Sequence, residues 1–218
     1  MEAGFPGDIT VEAIYSLTES PSSSGSGTTY SLGVEYSAVL DATSTVDETV
    51  VALTNHSYFT VSPNPTTTGT ELAFATNSIL EVDPDTLIPN GNLGSHPGLP
   101  SGSFVPTTIT DAEPIIDHCF VLDENCPLDT RQRPLKPFAR MYHPSTGLRL
   151  EASTTEPAFQ ATTGEGLAVR PGLHRRGGFA LEAQRFVNAV NNREWLGQVK
   201  VKKGDVWGSK TTYSVWKD

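Results

Sequence analysis

Leu53-Thr54-Asn55-His56-Ser57-Tyr58-Phe59 is an apolar run that ends abruptly in an amide, an imidazole, a hydroxyl and two aromatic rings. Val50 to Leu53 carry the β-branched and aliphatic side chains of a buried strand, and Thr54 to Phe59 set polar groups and ring faces at its end. Aromatic rings can stack on a pyranose, and an imidazole handles a proton near neutral pH. The stretch therefore reads as a strand running into a sugar site. A histidine beside a tyrosine also serves as an ordinary hydrogen-bonded packing pair, so a function requires partners from elsewhere in the chain.

The 218 residues are enough for one large domain, and all-β sandwiches of this length commonly fold as a single unit; one domain over residues 1–218 is expected. The formal charge of -10, from 25 acids against 15 bases, argues against a nucleic-acid or anionic-membrane partner, which would need a clustered basic face. Arg175-Arg176 and the trio Lys200, Lys202 and Lys203 are the only basic clusters, and both read as solvated surface. Two cysteines, Cys119 and Cys126, provide no disulfide framework and no cysteine-based zinc spacing. No apolar run approaches the ~18 residues needed to cross a bilayer, and Met1-Glu2-Ala3-Gly4 lacks the basic-then-apolar pattern of a secretory leader, so a soluble, cytoplasmic chain is expected.

Outward from the opening stretch, strand patterns dominate. Ile9 to Leu17 alternates, with Ile9, Val11, Ala13, Tyr15 and Leu17 on one side, and predicts a half-buried strand. Ser20 to Thr29 is a Ser/Gly run that predicts a mobile hairpin tip. Tyr30 to Leu40 and Thr49 to Thr54 complete an antiparallel-looking set, with Asp41 to Glu48 as the polar turn between them. Residues 82–107, with repeated Pro and Gly and little periodicity, read as one long loop. Asp117 to Leu122 returns to strand character. Arg140 to Thr154 carries a hairpin signal around Pro144-Ser145-Thr146-Gly147, and Val206 to Trp216 reads as a closing strand after the Lys203-Gly204-Asp205 turn. Against this all-β pattern, Ala180 to Val190 is full of helix formers, and propensity alone makes it a helix.

Several polar groups sit at the ends of apolar segments: His56, Asp117-His118, Glu156 and Gln160 around Pro157, and Glu182 with Gln184. Loops and strand ends that gather such groups at one end of a sandwich make a site. Each also has a structural explanation, Asp117 as a turn cap, Gln160 as a backbone partner and Glu182 as an exposed strand acid.

The set together resembles the aldose 1-epimerase, or galactose mutarotase, family. The motifs are Gly4-Phe5-Pro6-Gly7, Leu53 to Phe59, Thr86-Leu87-Ile88-Pro89 with Gly91, Asp117-His118-Cys119-Phe120, Thr154-Thr155-Glu156-Pro157 with Gln160 and Gly164, and Leu181-Glu182 with Gln184. They fall in the family's order over almost the whole chain. The resemblance implies a large antiparallel β-sandwich, a free aldohexose such as glucose or galactose as substrate, and interconversion of its α and β anomers. It makes Glu182 the general base at the anomeric hydroxyl and His56 the general acid at the ring oxygen. Asp117 would hold sugar hydroxyls, with Gln160, Asn55 and Tyr58 as further sugar contacts. A carboxylate and an imidazole differ by about two pKa units before any tuning, so near neutral pH one accepts a proton while the other supplies one, and no metal or organic cofactor is needed. The two are expected at opposite edges of one pyranose, several ångströms apart and not in contact.

Three local departures from the family pattern are Thr162 where an aromatic is common, Val187-Asn188 in place of Pro-Asp, and Thr60 in place of asparagine. The resemblance covers roughly the C-terminal two thirds of the family's length. Its N-terminal part, with an arginine and a second histidine that contact the sugar, has no counterpart before Gly4, so an exposed sheet edge, an open site and weak activity of the chain by itself are expected. Two other readings remain: a non-catalytic carbohydrate-binding module on the same fold, and a hexose-phosphate epimerase, which would present arginines to a phosphate.

Overall fold

Phe120, Phe159 and Phe179 point to one side of the strands that carry them, and each of these rings is buried against its neighbours. A computed structural model of the protein describes residues 4–22 and 27–217. Two antiparallel sheets enclose that aromatic core. The larger has seven strands in the spatial order β1 (Ile9–Pro21), β2 (Thr28–Leu40), β15 (Val206–Lys217), β11 (Leu148–Thr154), β10 (Lys136–His143), β5 (Glu71–Phe74) and β8 (Thr107–Thr108). The second has six, in the order β4 (Tyr58–Phe59), β13 (Phe179–Gln184), β12 (Ala158–Thr162), β9 (Asp117–Val121), β6 (Ser78–Val82) and β7 (Pro89–Ser95). A two-stranded patch joins β14 (Lys200–Lys202) to β3 (Glu48–Val50). The fold is the antiparallel β-sandwich expected from the sequence.

Between the sheets, Leu72, Phe74, Phe138, Met141, Leu150 and Tyr213 from the larger one meet Phe120, Phe159, Phe179 and Leu181 from the smaller. Phe120 and Phe159 stack with ring centroids 5.1 Å apart, and Phe74 tilts against Phe120 at 4.8 Å. The β10–β11 hairpin turns at Gly147, whose left-handed φ of 67° a side chain would resist and whose N–H donates to the His143 carbonyl at 3.0 Å.

Several local expectations are corrected. Ala180 to Val190 is not a helix: its first half is β13, paired on both sides with β12 and β4, and its second half is irregular apart from a short 3-10 turn at Ala189–Asn191. Two-sided pairing outweighs helix propensity here. The first strand is not half-buried, because β1 is the edge of its sheet and is exposed along its whole length, Leu17 at 83%. The predicted hairpin tip is shorter than its Ser/Gly composition suggests: Ser20 pairs with Thr29 and Pro21 with Thr28, and residues 23–26 lie outside the described residues. The strand before His56 ends at Val50, where its ladder with β14 stops; the Val51 N–H still donates to the Val199 carbonyl at 2.9 Å, and Val51 and Leu53 pack with Trp207 and its neighbours. The 82–107 loop contains β7, which pairs with β6 through backbone groups that need no apolar period. Arg176 is not solvated surface but 2% exposed, its guanidinium paired with Glu165 and donating to the Pro114 carbonyl at 3.0 Å.

One buried ion pair ties the site-bearing strands together. Arg185, just after β13, lies 3.1 Å from Glu156, just before β12, with both side chains inaccessible to solvent. The same guanidinium donates to the Leu128 carbonyl at 2.7 Å, touches the Cys126 thiol and lies over the Trp207 ring. Burial pushes the Glu156 carboxyl up to about 7 against the pull of Arg185. Two stability effects follow. Phe120→Ala opens a cavity in the ring stack and lowers unfolding free energy by about 3–5 kcal/mol in urea titration. Glu156→Ala leaves a guanidinium buried without its counter-charge and costs a comparable ~3–5 kcal/mol; a midpoint equal to that of the unaltered chain would show that the pair holds nothing.

Candidate functional site

Strand alternation divides β13 cleanly. Leu181 and Ala183 enter the core, so Glu182 and Gln184 face outward from the six-stranded sheet. In the paired register Gln160 and Cys119 lie beside Glu182, while Thr162 and Asp117 lie beside Ala180, one step nearer the strand ends. A second apolar cluster, with Phe186, Trp195 and Val199 over Leu80, Cys119, Val121 and Ala158, covers the other end of this outer face. The end holding Glu182, Gln160, Asp117 and Tyr58 is left accessible.

Two tethers place the chain leading to His56. The Thr54 hydroxyl donates to the Ala183 carbonyl at 2.9 Å, and Tyr58 and Phe59 pair with Ala180 and Phe179 as β4. The intervening residues have no regular structure. Asn55 accepts a hydrogen bond from the Ser57 hydroxyl at 3.1 Å, and its side-chain nitrogen is buried. From the core side, the Tyr213 hydroxyl donates to the Leu181 carbonyl at 2.8 Å, so the strand bearing Glu182 is held from both faces.

The structure brings His56, Tyr58, Asp117, Gln160 and Glu182 to this one end of the sheet, while the Asn55 side chain is engaged by Ser57. His56 Nε2 lies 3.4 Å from Glu182 Oε1, the imidazole 61% exposed and the carboxylate side chain 9%. The expected separation of the two groups is therefore corrected: imidazole and carboxylate are in contact. The imidazole is exposed and sits on irregular backbone, whereas Glu182 is carried on β13, between β12 and β4. The His56 and Tyr58 rings stack with centroids 5.4 Å apart. Gln160 donates from Nε2 to Asp117 Oδ1 at 2.8 Å, leaving its amide oxygen and the second carboxylate oxygen of Asp117 as hydrogen-bonding atoms at the same end.

Burial raises the Glu182 carboxyl above the usual glutamate value, helped by the negative charge of Asp117 and opposed by His56. The Tyr58 phenol is also raised, by burial first and then by Glu182 and Asp117, while Arg170 pulls it down. Arg170, capping the 3-10 segment Glu165–Val169, is thus within electrostatic reach of the site. Sequence reasoning gave it no role, and its Gly-rich surroundings offer no periodic signal that would have found it. Thr54 and Tyr213 were likewise missed as supports, since a tether from a hydroxyl to a backbone carbonyl leaves no motif.

His118, the partner of Asp117 in the sequence motif, turns to the opposite side of the sheet. It packs edge-on against the buried His96 with centroids 4.6 Å apart, and burial lowers the pKa of both. Among the described residues no helix is long and apolar enough to cross a membrane.

The family model for aldose 1-epimerase matches residues 1–214. The bifunctional protein gal10 of Schizosaccharomyces pombe is 36% identical over 217 residues, covering 98% of this chain and 28% of that protein. The galactose mutarotase of Sus scrofa is 30% identical over 223 residues, covering 97% of this chain and 59% of its own length. The chain thus spans less than two thirds of these curated relatives. A GalM/aldose epimerase homologue from C. elegans superposes with a TM-score of 0.67 at 20% identity, over 94% of this chain and 66% of that one, and shares the fold. Sequence motifs, sandwich and a match over nearly its full length agree: the chain belongs to the aldose 1-epimerase family.

Proposed function

We propose that the chain interconverts the α and β anomers of a free aldohexose, glucose or galactose, with Glu182 as general base and His56 as general acid. The observation that carries this reading is the buried Glu182 carboxylate in contact with an exposed imidazole, beside the hydrogen-bonded Gln160–Asp117 pair. A base fixed on a strand and an acid on irregular chain can flank one pyranose once the imidazole moves off the carboxylate to the ring oxygen.

The chemistry balances without any other reactant. Glu182 takes the proton from the anomeric hydroxyl, the C1–O1 bond becomes a carbonyl, and the C1–O5 bond breaks as O5 receives a proton from His56. Rotation about C1–C2 turns the other face of the aldehyde toward O5. Reclosure returns the O5 proton to His56 and the Glu182 proton to O1, restoring both groups. Asp117, Gln160 and Asn55 would hold the remaining hydroxyls, and Tyr58 would provide a ring face. The charge character of the site suits a neutral sugar: Glu182 and Asp117 stand together, and a phosphate would meet two carboxylates with Arg170 as its nearby cation.

Dissolving fresh α-glucose or α-galactose and following optical rotation tests this. Glu182→Gln should slow the catalysed rate by about 10²–10⁴-fold, and His56→Gln by a similar factor. A Glu182→Gln variant as fast as the unaltered chain would remove the base assignment, and sugar affinity without any rate effect would point instead to a binding module. The pH profile gives a separate check. Because the Glu182 carboxyl is raised, the base form is lost as pH falls through a value above 4.5, so the acid limb of kcat/KM should lie above that value. Asp117→Asn removes a charge that raises it and should move the limb to lower pH.

A further inference from the structure

On the opposite side of the sandwich from Glu182, the outer face of the seven-stranded sheet holds an open hollow of about 920 Å³. Its floor is formed by β15, β11, β10 and β5. One wall is the paired end of β1 and β2 at Ser20, Pro21 and Thr29, and the other is the chain at Phe104 and Pro106. None of the residues near Glu182 lines it, and the phenylalanine core lies between the two. Its volume falls within the ~300–1,000 Å³ of small-ligand clefts.

The outward face of an antiparallel sheet is ordinarily polar and featureless, and this one departs from that in two ways. Three aromatic rings, Phe104, Tyr142 and Trp216, occur among its polar residues. Phe104 is held at a φ of 56°, a left-handed conformation uncommon for a bulky side chain. The charged groups are also organised. The Arg140 guanidinium donates to Glu151 at 2.8 Å and lies 4.0 Å over the Phe104 ring, and the Arg149 guanidinium lies 4.1 Å over Tyr142. In the paired register Arg149 stands beside Trp216.

Among the described residues that line the hollow, two guanidinium groups, Arg140 and Arg149, face two carboxylates, Glu71 and Glu151, so the charge of these side chains is balanced. A balanced lining gives a polyanion no net attraction. Planar forks of donors and acceptors next to flat ring faces instead match a ligand with many hydroxyls and apolar C–H faces. We propose that this hollow binds a neutral oligosaccharide, as a second saccharide site separate from the one around Glu182. The ring face of Trp216 takes a sugar face, and the paired Arg140 and Glu151 side chains together with Ser214 take the hydroxyls.

Intrinsic fluorescence reads the site directly. Of the three tryptophans, Trp195 and Trp207 are 8% and 0% exposed, which leaves Trp216 as the one within reach of a ligand in the hollow. The chain is titrated with maltotriose, cellotriose and mannotriose, with a heparin hexasaccharide as the anionic comparison, and affinities are confirmed by calorimetry. At least one neutral trisaccharide should bind saturably with a change in tryptophan emission. Trp216→Ala should weaken the calorimetric affinity about tenfold, Glu151→Gln should weaken it as well, and Glu182→Gln should leave it unchanged. Absence of binding by all three neutral trisaccharides at millimolar concentration overturns the proposal. So does binding of the heparin fragment alone, or an affinity that Glu182→Gln abolishes while Trp216→Ala and Glu151→Gln leave it intact.

Discussion

Every second side chain of β13 enters the core and the others leave it, and both the packing and the site are built on that division. Leu181 and Ala183 fill space under Phe159 and Tyr213, and for that reason Glu182 has one direction in which to point. A slip of one residue would bury the carboxylate among phenylalanines and expose the leucine. The register is fixed from several sides: β12 and β4 pair along its edges, Tyr213 holds the Leu181 carbonyl, Thr54 holds the Ala183 carbonyl, and the buried Arg185–Glu156 pair closes the far end. Of these, only the ion pair is expensive to leave half made, because neither group can return to water when its partner is removed.

The fold was largely legible because its strands repeat with period two and are separated by recognisable turns. The hairpin around Gly147 and the closing strand are where the pattern puts them. What misled was any segment whose state depends on neighbours that composition does not name. Ala180 to Gln184 has helix formers but two flanking strands to pair with, and Ile9 to Leu17 has the alternation of a half-buried strand but lies at a sheet edge with neither face covered. β7, with Asn, Gly and Ser among its residues, has no apolar period at all and is a strand only because β6 offers it backbone partners.

The candidate site was legible in its membership more than in its geometry. His56, Asp117, Gln160 and Glu182 stand in motifs that recur in order, and pairing distances then dictate that Gln160 adjoins Glu182 and that Asp117 lies within hydrogen-bond reach of Gln160. Contact between His56 and Glu182 could not be read the same way, since it depends on the path of irregular chain that no pairing register fixes. Arg170 and the aromatic hollow on the opposite sheet were invisible for a related reason. Their members come from five or more separated segments, each of which looks like ordinary polar surface when taken singly.

The electrostatics of the two faces differ in a way that bears on what each can hold. Around Glu182 burial raises the carboxyl above the usual glutamate value, and the nearby Asp117 charge adds to that rise against the pull of His56. On the proposed reading, that arrangement serves to move protons. In the hollow of the larger sheet each guanidinium already lies over an aromatic ring, and Arg140 is also paired with Glu151, so its charges are spent on fixing ring and fork geometry. Such a surface has little to offer a reacting bond and much to offer a ligand that needs orientation. On the proposed readings, one sandwich therefore separates turnover from retention by assigning them to opposite sheets, with the phenylalanine layer between as insulation against any exchange of charge.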